Sequence, residues 1–278
     1  MIKAFTQLML RLVDESVPLL GQLARGVREC RRKPIVGETL ELQGFLSTVM
    51  HSRIARRVIA EQYVALQRPR EGFIGVFEKN MRVADMVRKA ASDCEDICET
   101  TYGRAPEVRV RGDVDAKICY IPAHLEYILY EVFKNSARAV TEFHTTKDEL
   151  PPIDVLIFEH PPSSSVTIKI SDQGGGICAE ATQRVFEYGY TTVQEKVEED
   201  VAGLGGGLGQ LGGGGGTGLG GLGASARSPM AGLGFGLPLS RQYADYFGGT
   251  MELYSIDGYG TDVLLKLRDA RKTSALAF

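Results

Sequence analysis

Apolar and polar residues change their spacing once along this chain, near Gly103, and the change divides it in two. Over residues 3–32, Phe5, Leu8, Leu12, Val17, Leu20 and Leu23 recur at near-helical intervals, and basic residues gather at the end. Pro34 interrupts the pattern. It resumes over 38–65, where Leu42, Phe45, Val49, Ile54, Val58 and Ile59 are interspersed with arginines. Over 81–101, Val83, Met86, Val87, Ala90, Cys94 and Ile97 form a third apolar stripe. The first hundred residues are therefore expected to be all-helical, as a bundle.

After Gly103 the period shortens to two over 108–111, and 117–121 follows as a second strand. Pro122 suits the first turn of a helix reaching His144, with Leu125, Ile128, Leu129, Val132 and Phe133 on its buried side. Strands are expected at 153–159 and 165–171, and helices at 179–188 and 235–247. Two last strands, 250–256 and 261–268, are joined by Asp257-Gly-Tyr-Gly260, a hairpin signature. The expected fold class is α+β: a helical bundle over 1–104, then a mixed sheet with helices on one face over 105–278.

Residues 203–223 break both periods, with fourteen glycines in twenty-one positions. Such a tract cannot offset its ordering entropy by burial, so a disordered insertion is expected over about 195–230. It is not read as a phosphate loop, because no helical pattern directly follows it and its leucines keep no period. The acidic run at 195–200 reads as a solvated approach to it.

Composition removes several classes of function. A net charge of −3 gives no basic field for nucleic acid or acidic lipid. No run of about 18 apolar residues is present, so no membrane-spanning helix is expected. The N-terminus reads as an amphipathic helix start, not a secretory or transit peptide. The five cysteines form no CxxC pair and the four histidines no zinc pattern with them, so buried, reduced thiols are expected.

Chemistry concentrates in three clusters. Asp172-Gln-Gly-Gly-Gly-Ile177 follows a strand and offers one carboxylate where glycines let a ligand approach the backbone. Glu131, Lys134, Asn135 and Arg138 lie three and four residues apart, on one helix face. There Asn135 could serve as an oxygen ligand for Mg²⁺, Lys134 and Arg138 could neutralise phosphate, and Glu131 could take a proton from an attacking hydroxyl. Gly232-Leu-Gly-Phe-Gly-Leu-Pro238 opens a helix, whose N-terminal N–H groups suit an anion. No Walker A or eukaryotic-kinase glycine loop matches. Each cluster alone is weak, because an ion-paired surface or a tight helix start explains it as well. In this order, each at a strand–helix junction, they point to an ATP site.

Glu-x-x-Lys-Asn, Asp-x-Gly-x-Gly and Gly-x-Gly-x-Gly resemble the three ATP-binding boxes of the Bergerat fold shared by gyrase, Hsp90, sensor histidine kinases and MutL. Asn135-Ser-Ala-Arg-Ala139, Ser171–Ile177, Gly234–Arg241 and Gly258-Tyr-Gly-Thr-Asp262 are similar to the mitochondrial 2-oxo-acid dehydrogenase kinases. Within them, residues 102–109, Tyr120-Ile-Pro122, Tyr127-Ile-Leu129 and the short tail after Arg268 resemble the branched-chain branch more than the pyruvate one.

The resemblance implies an ATP-dependent protein serine kinase that inactivates the E1α subunit of the branched-chain 2-oxo-acid dehydrogenase complex. Pyruvate dehydrogenase as substrate, or an ATP-binding module impaired in catalysis, stand as alternatives. It further implies Mg²⁺ (with K⁺ as an optional addition), docking on the lipoyl-bearing E2 core, a homodimer, no nucleic acid or membrane partner, and the mitochondrial matrix. Glu131 would be the base and Asn135 the metal ligand. Asp172 would read the adenine amine, with Gly174, Gly176 and Thr261 nearby. Thr191, Thr192, Gly232, Leu233, Gly234, Phe235, Gly236 and Leu237 would border the triphosphate, and 189–233 would be the ATP lid. The chain departs from the pattern in a bundle shorter than the family's and in the glycine tract within the lid. By the same resemblance Gly189 stands where the branched-chain branch looks to carry histidine, and Tyr63 replaces another in the long bundle helix; a tyrosine there cannot form the phosphohistidine of a sensor kinase.

Overall fold

The computed structural model describes residues 2–15, 18–31, 42–146, 149–191 and 234–272. Helices α1 (Ile2–Glu15), α2 (Leu19–Arg31) and α3 (Leu42–Leu66) come first. The expected single helix over 3–32 is therefore two. Pro18 opens α2, its carbonyl accepting from Gln22 N–H at 3.1 Å, and proline has no N–H to continue an upstream helix. α1 packs along α3, with Phe5 edge-on to Tyr63 at 5.1 Å between centroids.

The expectation of an all-helical first hundred residues is corrected by two strands, β1 (Phe73–Ile74) and β2 (Phe77–Arg82). In β2 only Phe77 and Met81 are buried, and a register shift lies between Glu78 and Met81. A bulge of this kind erases the alternation by which a strand is recognised. Helix α4 (Val83–Tyr102) follows and ends on Gly103 in the left-handed conformation, whose N–H caps Glu99 O at 2.8 Å.

From there the order is β3 (Val108–Gly112), β4 (Lys117–Tyr120), α5 (Pro122–Phe143), β5 (Ile153–His160), β6 (Ser165–Asp172), α6 (Ala179–Arg184), α7 (Gly236–Tyr246), β7 (Thr250–Ile256) and β8 (Gly260–Arg268). β4 joins β1 and β2 in a small sheet, which ties segments on either side of Gly103. The main sheet runs β3-β5-β6-β8-β7, parallel between β3 and β5 and antiparallel elsewhere. The mixed sheet with helices on one side is as expected: α4, α5 and α7 pack together and onto one face.

Alternation in the strands fixes what that face receives. Val166, Ile168 and Ile170 of β6 and Val263, Leu265 and Leu267 of β8 are buried beneath the helices. By the same two-residue period Asp172, the last residue of β6, also points to the helix side and is buried. α3 packs on α7, and the buried polar side chains Arg53 and Arg57 of α3 and His124 of α5 lie in the interior. Arg57 pairs with Glu61 at 2.6 Å, and burial with the Arg57 charge pushes the His124 imidazole down to about 3, so it is neutral.

The hairpin at 257–260 is as expected, with Ile256 opposite Gly260. The helix expected over 179–188 stops at Arg184; beyond it Glu187 N–H turns back to the Arg184 carbonyl at 2.8 Å, and Tyr188 N–H bonds instead to the Gln43 side chain at 2.8 Å. Cys94, Cys98 and Cys119 are buried and free; Cys178, expected among the buried thiols, is exposed instead. Burial pushes the Cys94 thiol up to about 12, which leaves it inert.

Candidate functional site

A cavity of about 600 Å³ opens between α5, the connection after β6 and the start of α7. Its size suits a small-molecule ligand. Glu131, Lys134, Asn135, Arg138, Asp172, Gly174, Gly176, Thr191, Gly234, Gly236, Leu237 and Thr261 all line it. Residues from five separated stretches of sequence, among them the three predicted clusters, thus meet in one space. Thr192, Gly232, Leu233 and the glycine tract lie outside the described residues. Phe235 is a correction: its ring is buried against Tyr188, 5.2 Å between centroids, and is core rather than cavity wall.

At one corner sits Asp172. Its Oδ2 accepts from the Ser136 hydroxyl at 2.8 Å and its Oδ1 from Gly174 N–H at 3.0 Å. Burial pushes this carboxyl above the ordinary aspartate value. The Gly174, Ser136 and Thr261 hydrogen bonds pull it back, and the Asp262 charge adds to the rise. Thr261 is the register partner of Asp172 on β8. Gly174 is required sterically, since a Cβ there would lie 2.5 Å from the Ala139 Cβ and 2.9 Å from Val140 N of α5. The chain therefore passes close enough to the helix for Ser136 to reach Asp172.

Glu131, five residues before Ser136 and about 7.5 Å along the helix, forms an ion pair with Lys134 at 2.7 Å. Both side chains are at least nine-tenths buried, which rules out a solvated surface pair. Each stabilises the other, because a lone charge at such a site costs several kcal/mol (about 3–5 on removing one partner). Gly236, at the start of α7, lies against Glu131 so closely that a Cβ would overlap the carboxylate. Arg138 Nε stands 4.0 Å from Glu142 and Asn135 lies beside Lys134. Among the described residues no group of three or more His, Cys, Asp or Glu could hold a metal unaided. A cation using Asn135 would thus take most of its ligands from phosphate and water, the habit of Mg²⁺.

Ser136 had no place in the sequence-based site, although it adjoins Asn135. Neighbours on a helix point about 100° apart, so Asn135 faces the cavity wall of the second cluster while Ser136 turns towards β6. Replacing Ser136 with alanine should weaken adenine-nucleotide binding about 2- to 10-fold at neutral pH. The loss should grow as pH falls, because without the hydroxyl the Asp172 carboxyl rises further and protonates earlier. Calorimetric titrations from pH 5 to 8 check this, and superimposable pH curves for the two proteins would contradict it.

Known proteins match this chain over most of its length. Residues 2–82 match the family described as mitochondrial branched-chain alpha-ketoacid dehydrogenase kinase. Residues 120–271 match the histidine kinase-, DNA gyrase B-, and HSP90-like ATPase family, a stretch that contains every cavity residue named above. A mitochondrial pyruvate dehydrogenase (acetyl-transferring) kinase of Arabidopsis thaliana is 35% identical over 268 residues, covering 95% of this chain and 68% of the plant protein. One from Schizosaccharomyces pombe is 36% identical, covering 88% of this chain and 54% of its own length. Human isozyme 4 is 30% identical, covering 95% and 61%. The chain thus spans between about half and two thirds of these relatives. No described helix is long and apolar enough to cross a membrane.

Proposed function

The chain belongs to the mitochondrial 2-oxo-acid dehydrogenase kinase family, built on the histidine kinase-, gyrase B- and HSP90-like ATPase fold, and from that premise we propose that it is an ATP-dependent protein serine kinase acting on an E1α subunit. One observation carries the reading: a buried, multiply hydrogen-bonded carboxylate, Asp172, shares a cavity with the buried Glu131–Lys134 pair. The first suits an adenine amine. The second suits the reacting end of a triphosphate.

In this reading Asp172 accepts from the exocyclic amine, with Gly174, Gly176 and Thr261 around the base. Asn135 would supply an oxygen to Mg²⁺, which would neutralise charge on the phosphates when bound. Arg138 and Lys134 add positive charge, while Thr191, Gly234, Gly236 and Leu237 border the phosphates. The substrate serine oxygen bonds to the γ-phosphorus, the bond from that phosphorus to the β–γ bridging oxygen breaks, and the serine proton passes to Glu131. Most of the acceleration comes from positioning and charge. Residues 1–104 form the docking part and 105–278 the nucleotide-binding part. Docking on the lipoyl-bearing E2 core, a homodimer, K⁺ and the mitochondrial matrix belong to the same proposal.

The branched-chain E1α is the proposed substrate, supported by the match over 2–82 and by Tyr127-Ile-Leu129. The pyruvate dehydrogenase E1α is the second reading, favoured by the names of the relatives. Labelled ATP offered with each E1α separates them. We expect label on the branched-chain subunit, and faster labelling of the pyruvate subunit would reverse the assignment. Nucleotide binding without label on either would favour a binding module.

A further inference from the structure

One side chain of α3 reaches the cavity's frame from 145 residues away. The Gln43 amide oxygen accepts from Tyr188 N–H at 2.8 Å, and its Nε2 donates to Tyr188 O at 3.3 Å. One turn further along α3, Ser47 Oγ accepts from Gln242 Nε2 of α7 at 2.9 Å. The two stretches gripped in this way are also joined to each other. Gly189 N–H donates to Gly234 O at 2.8 Å, and Tyr188 packs on Phe235. Immediately beyond these contacts, Tyr190, Thr191, Gly234 and Gly236 line the cavity, Gly236 lying against Glu131.

We propose that Gln43 is a positioning residue for the nucleotide site: its amide sets the 188–191 wall at the Glu131 end of the cavity, so that affinity for the nucleotide's phosphates depends on α3. The proposal rests on reading the cavity as a nucleotide site. A side-chain amide suits the task because one planar group both donates and accepts, as an adjacent strand would. An apolar contact could hold Tyr188 close without fixing its rotation. A carboxylate could accept from its N–H and would repel its carbonyl. The adenine corner, built by Ser136, Asp172, Gly174 and Thr261, shares no hydrogen bond with Gln43. Phosphate affinity and adenine affinity should therefore respond separately.

The test compares adenosine, ADP and ATP by calorimetry on the full chain and on Gln43→Ala and Gln43→Glu. Alanine removes both bonds and should weaken ADP and ATP about 10-fold, leaving adenosine within about twofold. Glutamate keeps the acceptor but sets a carboxylate oxygen against the Tyr188 carbonyl, so ADP and ATP should weaken there too. Retained adenosine binding reports at the same time that the variants are folded. Unchanged ADP and ATP affinity in both variants would overturn the proposal, and so would an equal loss for all three ligands, which marks general loosening. Failure of the unmodified chain to bind any of the three defeats the nucleotide reading itself, and is seen before any variant is made.

Discussion

Asp172→Asn should lose adenine-nucleotide affinity by about 10²-fold or more while the unliganded protein melts no lower than the parent. The loss follows from the donor count. The adenine amine donates, and the Asp172 carboxylate offers lone pairs that Ser136 and Gly174 already orient. Asparagine turns one of its two oxygens into a donor, so either the ligand's amine or the Ser136 hydroxyl loses its acceptor. An unmet donor in a site built to satisfy it is expensive to bury. The melting result follows from the carboxyl's raised position. A group titrating higher in the folded than in the unfolded state contributes most stability in acid, and that contribution is lost as pH rises through its folded value. At neutral pH the ionised Asp172 is therefore a local liability, which asparagine removes. Nucleotide affinity has the opposite sense, increasing as Asp172 ionises. Thermal melts and ADP titrations at pH 7.5 check both halves. Undiminished ADP affinity would show that the base does not lie at this corner.

What the sequence disclosed and what it concealed divide along one physical line. Features carried by local periodicity were readable. The alternation Val166, Ile168, Ile170 placed Asp172 at the end of a strand, and the spacing of 131, 134, 135 and 138 put four polar side chains on one face, all of which line the cavity. Features that depend on distant partners were not. Nothing local marks Gln43 as the acceptor for Tyr188 N–H, a bond that ties α3 to the stretch after α6. β2 was concealed because its bulge breaks the period and its partner β4 lies beyond the intervening helix. Phe235 sits inside a glycine motif, which suggests backbone approach to a ligand, but the direction of its ring is decided by Tyr188. The burial of the Glu131–Lys134 pair was likewise invisible in a spacing that exposed helices use equally well.

That burial shapes the second large effect. Glu131→Gln should keep nucleotide affinity within about threefold and reduce phosphoryl transfer about 10²- to 10⁴-fold, the span attributed to a positioned general base. Glutamine has the glutamate's shape, and its amide oxygen can still accept from Lys134, which donates to Glu131 Oε1 at 2.7 Å. It fits beside Gly236, where there is no room for anything larger. What it cannot do is take the serine proton. Glu131→Ala is the wrong variant for this question: it strands the Lys134 ammonium, which is almost wholly buried. A fall of about 3–5 kcal/mol in stability is then expected, so lost transfer would report lost structure. Neither variant keeps the counter-charge, and only glutamine keeps a hydrogen-bond acceptor for Lys134, so the melts report the cost of the lost charge while transfer, read on the folded glutamine variant, reports the lost base. Single-turnover transfer from labelled ATP to E1α, read beside ADP titration and thermal melts, measures all three quantities. Transfer by Glu131→Gln at the parent rate would remove Glu131 as the base and leave it only the task of holding Lys134 in place.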